Sequence, residues 1–274
     1  MGAVTKLSFG PFGITTGLTS SPESIEAARV AEELGYPAIW LSGGPLPGLQ
    51  TIRDLVEATN RIRFVSGILS VDSYEPDDVA ATYSALEAEA PGRFTVGLGG
   101  AHGARPVATV REYLDRLGAV PEEHRLLAAL GPRMLELARD RTAGAYPFLV
   151  TSEYTASARA ILGADKLLAV SHLTVVETDA ERARAIAREP ISFFVTLPGY
   201  AANLRRMGFS DSDLAELPDR MVDALTAWGT PEQIADQLRE HLEAGADHVA
   251  VNILTGVTGP QPIEQWRALA PMLL

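Results

Sequence analysis

The chain of 274 residues has no cysteine. That absence excludes disulfides, thiolate nucleophiles, cysteine-ligated metals and iron–sulfur clusters. Lysine is almost missing as well: of 23 basic residues only Lys6 and Lys166 are lysines. Lys166 precedes the seventh predicted strand instead of following it, which argues against a Schiff-base aldolase. There is no basic run, and the net charge is −12. Nucleic acid and anionic membrane surfaces are therefore poor partners. No apolar run reaches the length of a membrane span. The opening MGAVTKLSFGPFGI lacks a basic start followed by a long apolar core, so no secretory signal is predicted and a cytoplasmic location is expected. His124, His172, His241 and His248 show no metal-ligand spacing with one another or with carboxylates, so no metal is expected.

Glycine, by contrast, is concentrated. Residues 92–103 read GRFTVGLGGAHG, an apolar strand that ends in Gly97, Gly99, Gly100 and Gly103. A strand ending this way lets another molecule approach the backbone and leaves N–H groups for an anion or a carbonyl-rich ring. A tight turn that needs glycine is the competing explanation. A dinucleotide fingerprint is not complete, because His102 stands where the last glycine of G-x-G-x-x-G belongs.

Around this stretch the chain alternates short apolar runs with helical patterns. Strands are predicted at 7–14, 38–41, 62–69, 94–99, 125–130, 145–150, 173–176 and 249–254. Helices follow each, and residues 190–226 hold additional helical material. Eight strand–helix units without a linker predict an α/β fold, a (β/α)8 TIM barrel with a helical insertion before the last strand, as one domain over residues 1–274. A doubly wound open sheet is the alternative, although it usually has fewer strands and one dominant glycine fingerprint.

In such a barrel chemistry sits at the carboxyl ends of the strands. Those ends carry Thr15 and Thr16; Ser42, Gly43 and Gly44; Ser70, Val71 and Asp72; Gly99, Gly100 and His102; Gly131; Thr151, Ser152 and Glu153; Asn252 and Thr255. This rim is poor in charge and rich in hydroxyls and glycine, suited to wrapping a flat polar cofactor. His102 is the imidazole predicted at this face, either a proton relay or a hydrogen-bonded loop residue. Ser152, where a strand meets a helix N-terminus, is either part of a phosphate cradle or a plain cap. Glu153 beside it opposes a highly charged anion there.

Five blocks in order, AARVAEELGYPAIW (27–40), ATNRIRFVSG (58–67), GRFTVGLG (92–99), AALGPRMLEL (128–137) and WGTPEQIADQLREHLEAG (228–245), resemble the luciferase-like flavin and deazaflavin oxidoreductases. Within them the resemblance is to the coenzyme F420-dependent branch of actinobacterial type. It implies a homodimeric barrel that holds F420, or alternatively FMN, at its mouth and passes a hydride to or from a small-molecule substrate. It also implies a non-prolyl cis peptide at Ser70–Val71 behind the ring, Gly99 and Gly100 beside the ring, Ala129 and Gly131 along the tail, and Thr151, Ser152 and Tyr154 near its phosphate. Relatives that oxidise sugar phosphates carry an acid and a histidine after the second strand and a glutamate after the fourth. Here Ser42-Gly43 and Gly100 stand in those places, so that machinery is not transferable and His102 is a nearby substitute. Arg53, Arg105 and Arg159 are the candidate counter-charges. Three activities stay open: an F420-dependent oxidoreductase, an FMN-dependent monooxygenase, and a barrel that binds a flavin without turnover or serves a structural role.

Overall fold

Proline opens six helices, and hydroxyl or carboxyl side chains cap two of these as well as others, so these helix starts are written locally. Prolines stand at the first turn of α1 (Pro22–Glu33), α3 (Pro76–Glu89), α4 (Pro106–Arg116), α5 (Pro132–Arg141), α8 (Pro198–Arg206) and α11 (Pro231–Glu243). The others are α2 (Leu49–Ala58), α6 (Ser152–Leu162), α7 (Ala180–Phe194), α9 (Asp211–Glu216), α10 (Asp219–Leu225) and α12 (Ile263–Leu273). Ser21, Thr151, Asp179 and Thr230 accept the N–H groups of Ser24, Tyr154, Arg182 and Gln233. The computed structural model describes residues 6–42, 44, 46–257 and 259–274. Gly43 and Pro45, expected in the loop after the second strand, lie outside the described residues.

The apolar runs form β1 (Phe12–Thr16), β2 (Ala38–Ser42), β3 (Arg63–Gly67), β4 (Leu69–Ser70), β5 (Phe94–Gly99), β6 (Arg125–Leu127), β7 (Gly144–Ala145), β8 (Leu167–Val175), β9 (Thr226–Trp228) and β10 (His248–Ile253). All pairings are parallel. They run β10-β1-β2-β3-β5-β6-β7-β8, and β8 pairs β10 to close the barrel. The eight-stave barrel expected from the alternation is present, with β4 continuing the third stave. Between Val65↔Thr95 and Leu69↔Leu98 the third stave advances four residues while β5 advances three. That one-residue bulge re-aims Ile68.

Two apolar layers result from strand alternation. Outward residues such as Ile14, Ile39, Phe64, Phe94 and Val249 meet Ile52, Leu55, Leu86 and Trp266 of the helices. Inward residues Trp40, Val65, Leu126, Tyr146, Leu167 and Ala250 fill the lumen with Phe9. Trp40 stacks on Tyr146 at 4.1 Å and 15°, and its Nε1–H donates to His248 Nε2 at 2.9 Å. His248 Nε2 is thus an acceptor, so the ring proton sits on Nδ1 and donates to the Gly10 carbonyl at 2.8 Å. Burial pushes His248 down to about 4, which matches that neutral tautomer.

The seventh stave begins at Leu167, six residues before the predicted start at 173, and all nine of its residues are buried. The segment expected to hold additional helical material, 190–226, contains α8, α9 and α10, and at its end begins β9, which pairs with Leu173–Val175 of β8. The insertion packs with α7 on that carboxyl end of β8 through Leu173, Val175, Leu204, Phe209 and Met221. No helix among the described residues is long and apolar enough to cross a membrane.

Candidate functional site

The inward positions change character towards the carboxyl ends of the staves. Above Trp40 on the same face of β2 comes Ser42; above Leu126 comes Ala128; above Ala250 comes Asn252; above Tyr146 comes Phe148. All four are half-buried, as is Ile68 on the bulge. Beneath them Thr15 Oγ1 and Tyr146 Oη share a hydrogen bond of 2.9 Å. Burial pushes the Tyr146 phenol up to about 12, against hydrogen bonding by Ser171 and Thr15, so it stays protonated at neutral pH. The Asn252 carboxamide makes no hydrogen bond to another described residue, which leaves it a donor and an acceptor at the mouth. On one side the wall is aromatic: Phe148 packs on Phe194 at 5.0 Å, and Phe194 on Tyr200 at 4.9 Å.

The glycine run has internal reasons. A Cβ on Gly99 would lie 2.9 Å from the Ala128 Cβ and 3.2 Å from Ile68. Gly100 has φ +75°, and its Cβ would meet Ser70 Oγ at 2.7 Å. Both glycines are therefore demanded by neighbouring staves, and the open mouth is a consequence of that close approach.

The other predicted residues fall as follows. The cis peptide is Gly67–Ile68, not Ser70–Val71; the expectation misses by three residues because the bulge precedes β4. Ser70 lies beside Gly100, and the Val71 N–H donates to the Gly99 carbonyl at 2.9 Å while its side chain packs outward. His102 is exposed, and its backbone N–H is tied to Asp72 Oδ2 at 2.9 Å. Ala129 is fully buried in the outer layer and contributes its carbonyl, which accepts from Tyr154 Oη at 3.1 Å. Tyr154 also donates to the Leu130 carbonyl at 2.8 Å. The structure thus brings Ala129, Gly131, Thr151, Ser152 and Tyr154 to one side of the mouth, and Ser70, Gly99 and Gly100 to another.

Two helix N-termini meet on the first of these sides. α6 is already capped: Thr151, not Ser152, accepts from Tyr154 N–H, and Ser152 is the first helical residue. The Glu153 carboxyl is held low by its own backbone N–H and by Thr151. α5 follows Gly131 with no side-chain cap. A Cβ on Gly131 would meet the Arg206 guanidinium at 3.5 Å. Burial raises the Tyr154 phenol, and the positive charge of Arg206 opposes that rise.

None of the three predicted counter-charges occupies this position. Arg53 pairs with Glu89 at 3.1 Å. Arg105 is exposed at the N-cap position of α4. Arg159 lies under the barrel, where it binds the carbonyls of Gly245 and Lys166 and the Asp247 carboxylate. Arg206 was hidden from sequence reasoning because it belongs to the insertion and reaches the rim only through folding. Deeper in, Thr155 Oγ1 meets His241 Nδ1 at 2.8 Å and His241 Nε2 meets His172 Nδ1 at 3.1 Å. Burial holds His172 well below the ordinary histidine range and His241 at about 4. No group of three or more metal-binding side chains occurs among the described residues.

The family model described as luciferase-like monooxygenase matches residues 7–117 and 103–248. The uncharacterized protein YwcH of Bacillus subtilis strain 168 is 33% identical over 99 residues, 33% of this chain and 29% of that protein. The matched part spans less than a third of that relative. Among solved structures, the coenzyme F420-dependent tetrahydromethanopterin reductase from Methanopyrus kandleri superposes with a TM-score of 0.74 at 16% identity, covering 97% of this chain and 99% of that one. The oxygenating constituent of 3,6-diketocamphane monooxygenase from Pseudomonas putida, in complex with FMN, gives a TM-score of 0.67 at 16% identity over 97% and 99%. At these identities the two structures establish a shared fold.

Proposed function

The chain belongs to the luciferase-like monooxygenase family, and from that membership we propose that it is an oxidoreductase that exchanges a hydride between coenzyme F420 and a small organic substrate at the barrel mouth. The observation that carries this reading is the mouth itself. Its inward positions are Ser42, Ile68, Ala128, Phe148 and Asn252, uncharged side chains of modest exposure, directly above a packed lumen. Ile68 and Ala128 offer apolar contact to a planar ring, and Asn252 offers a donor and an acceptor to its polar edge. The uncapped N-terminus of α5 beside Arg206 suits an anionic tail. These residues fit a ring-and-tail cofactor better than a compact anion, which would need charge at the centre of the mouth.

Bound F420 supplies the carbon that accepts or gives the hydride. The chain's part is to orient and to dry the site. The Phe148–Phe194–Tyr200 wall excludes water from one side. His102, exposed on the loop after β5, is the proton relay of this reading. FMN is the second reading, supported by the family's monooxygenase description and by the absence of a carboxylate among those inward positions. A flavin-dependent oxygenase asks less of side-chain acid–base groups than a dehydrogenase does. Separate fluorescence titrations with F420 and FMN decide between them. Tight F420 binding with no FMN binding selects the first, and the reverse selects the second. Binding without hydride exchange across a substrate panel identifies a non-catalytic barrel.

A further inference from the structure

The insertion helix α8 lies over the two loops that carry the tail residues. Met207 at its end packs on the apolar cluster of Val150, Val170 and Ala246, on which Leu130 and Tyr154 also pack. Asn203 and Arg206, one turn apart, share that side, and Arg206 Nη2 donates to Asn203 Oδ1 at 3.0 Å. Asn203 is 1% exposed, yet its Nδ2 has no hydrogen-bond partner. An asparagine buried with half of its carboxamide unsatisfied is costly, and its satisfied half holds Arg206 against the start of α5. Arg206 makes no salt bridge with a described carboxylate, whereas its neighbour Arg205 pairs with Asp211 at 2.6 Å. An uncapped ten-residue helix and a guanidinium without an acidic partner among the described residues meet at Gly131, and the buried amide that accepts from that guanidinium keeps an unsatisfied donor.

We propose that Arg206, positioned by Asn203, is the counter-charge for the phosphate of the cofactor tail, so that α8 of the insertion closes on the bound cofactor. This inference rests on the flavin or deazaflavin reading above, and it assigns to the insertion a role in cofactor affinity as well as in covering the barrel. Arg206 binds and orients; it takes no part in hydride transfer.

The test compares phosphorylated and unphosphorylated forms of one ring. FMN and riboflavin, and F420 and its tail-less deazaflavin core, are titrated into the full-length wild type, Arg206→Met and Arg206→Lys at low and high salt. The side chain is exposed, so the folded state is expected to survive, and thermal melts check this. The expected result is a roughly ten- to hundredfold weaker Kd for the phosphorylated form in Arg206→Met, with the unphosphorylated form unchanged. The lysine variant recovers part of the loss, and the salt dependence of binding is shallower in Arg206→Met. Equal weakening of both forms, or no weakening, overturns the clamp while leaving the cofactor reading intact. A wild type that binds none of the four overturns the cofactor reading and the clamp with it.

Discussion

Below the level of Gly67 the lumen is occupied by Trp40, Tyr146, Phe9 and Val65, and even the polar His248 is neutral and satisfied at both ring nitrogens. Above that level the same alternating face carries Ser42, Ala128 and Asn252, half-exposed and mostly small. The electrostatics divide in the same way. Beneath the barrel Lys6 and Arg159 both bind Asp247, and Arg159 also ties down two carbonyls. Over the mouth Arg206 has a neutral amide for company. The lower half spends its side chains on stability, and the upper half leaves side-chain capacity for a ligand.

The largest effect expected from breaking this division is in the floor. Trp40→Ala removes a fully buried ring that stacks on Tyr146 and leaves His248 without its donor. A loss of about 3–5 kcal/mol is expected in urea unfolding. A loss under 1 kcal/mol would show that the lumen is not the packed support described. At the rim the effect should instead appear in binding. Ser152→Asp places a carboxylate in the first turn of α6 beside Glu153. Cofactor affinity should fall roughly a hundredfold by like-charge repulsion with an anionic tail, while stability changes little. Unchanged affinity removes Ser152 from the tail site.

Acidification sharpens the contrast next. His248 and His241 have folded-state values near 4, and His172 is also shifted down, so these rings stay neutral when the unfolded chain binds protons. The unfolded state then holds more protons, and stability, complete above about pH 6.5, is lost as pH falls from there towards 4. Each ring contributes up to about 1.4 kcal/mol per pH unit inside that window. His248→Gln should flatten the slope of unfolding free energy between pH 6.5 and 5; an identical slope contradicts the assignment. The smallest effect is at His102, exposed on its loop. His102→Ala should change stability by less than about 0.5 kcal/mol and lower turnover more than cofactor affinity. Normal turnover leaves it a loop residue.

The alternation of strand and helix patterns sufficed for the barrel, since eight parallel units have few other ways to bury both faces. It failed where polar residues are buried by partners distant in the chain. Ser171 and His172 interrupt the apolar run of β8, so the apolar pattern alone places the strand start too late. His172 is buried because it meets His241 of α11, a pairing with no local signal. Arg159 fails as a counter-charge because α6 begins at Ser152, so Arg159 lies in its last turn and binds the Gly245 carbonyl below the barrel. The strand ends place Gly131 and Thr151 to Glu153 at the rim and the family resemblance adds Ala129 and Tyr154, whereas neither points to Asn203 and Arg206, because an insertion's contacts follow from packing and not from a repeat.

The most direct measurement is a parallel titration of F420 and FMN into the wild type and Ala128→Trp, with folding of both checked by circular dichroism. Ala128 faces inward beside Gly99 and is half-exposed, so an indole there fills the mouth without entering the floor. One cofactor should bind the wild type at one per chain and bind folded Ala128→Trp at least tenfold more weakly. Equal binding by the two proteins, or none by the wild type, would contradict a cofactor ring held in the mouth of this barrel.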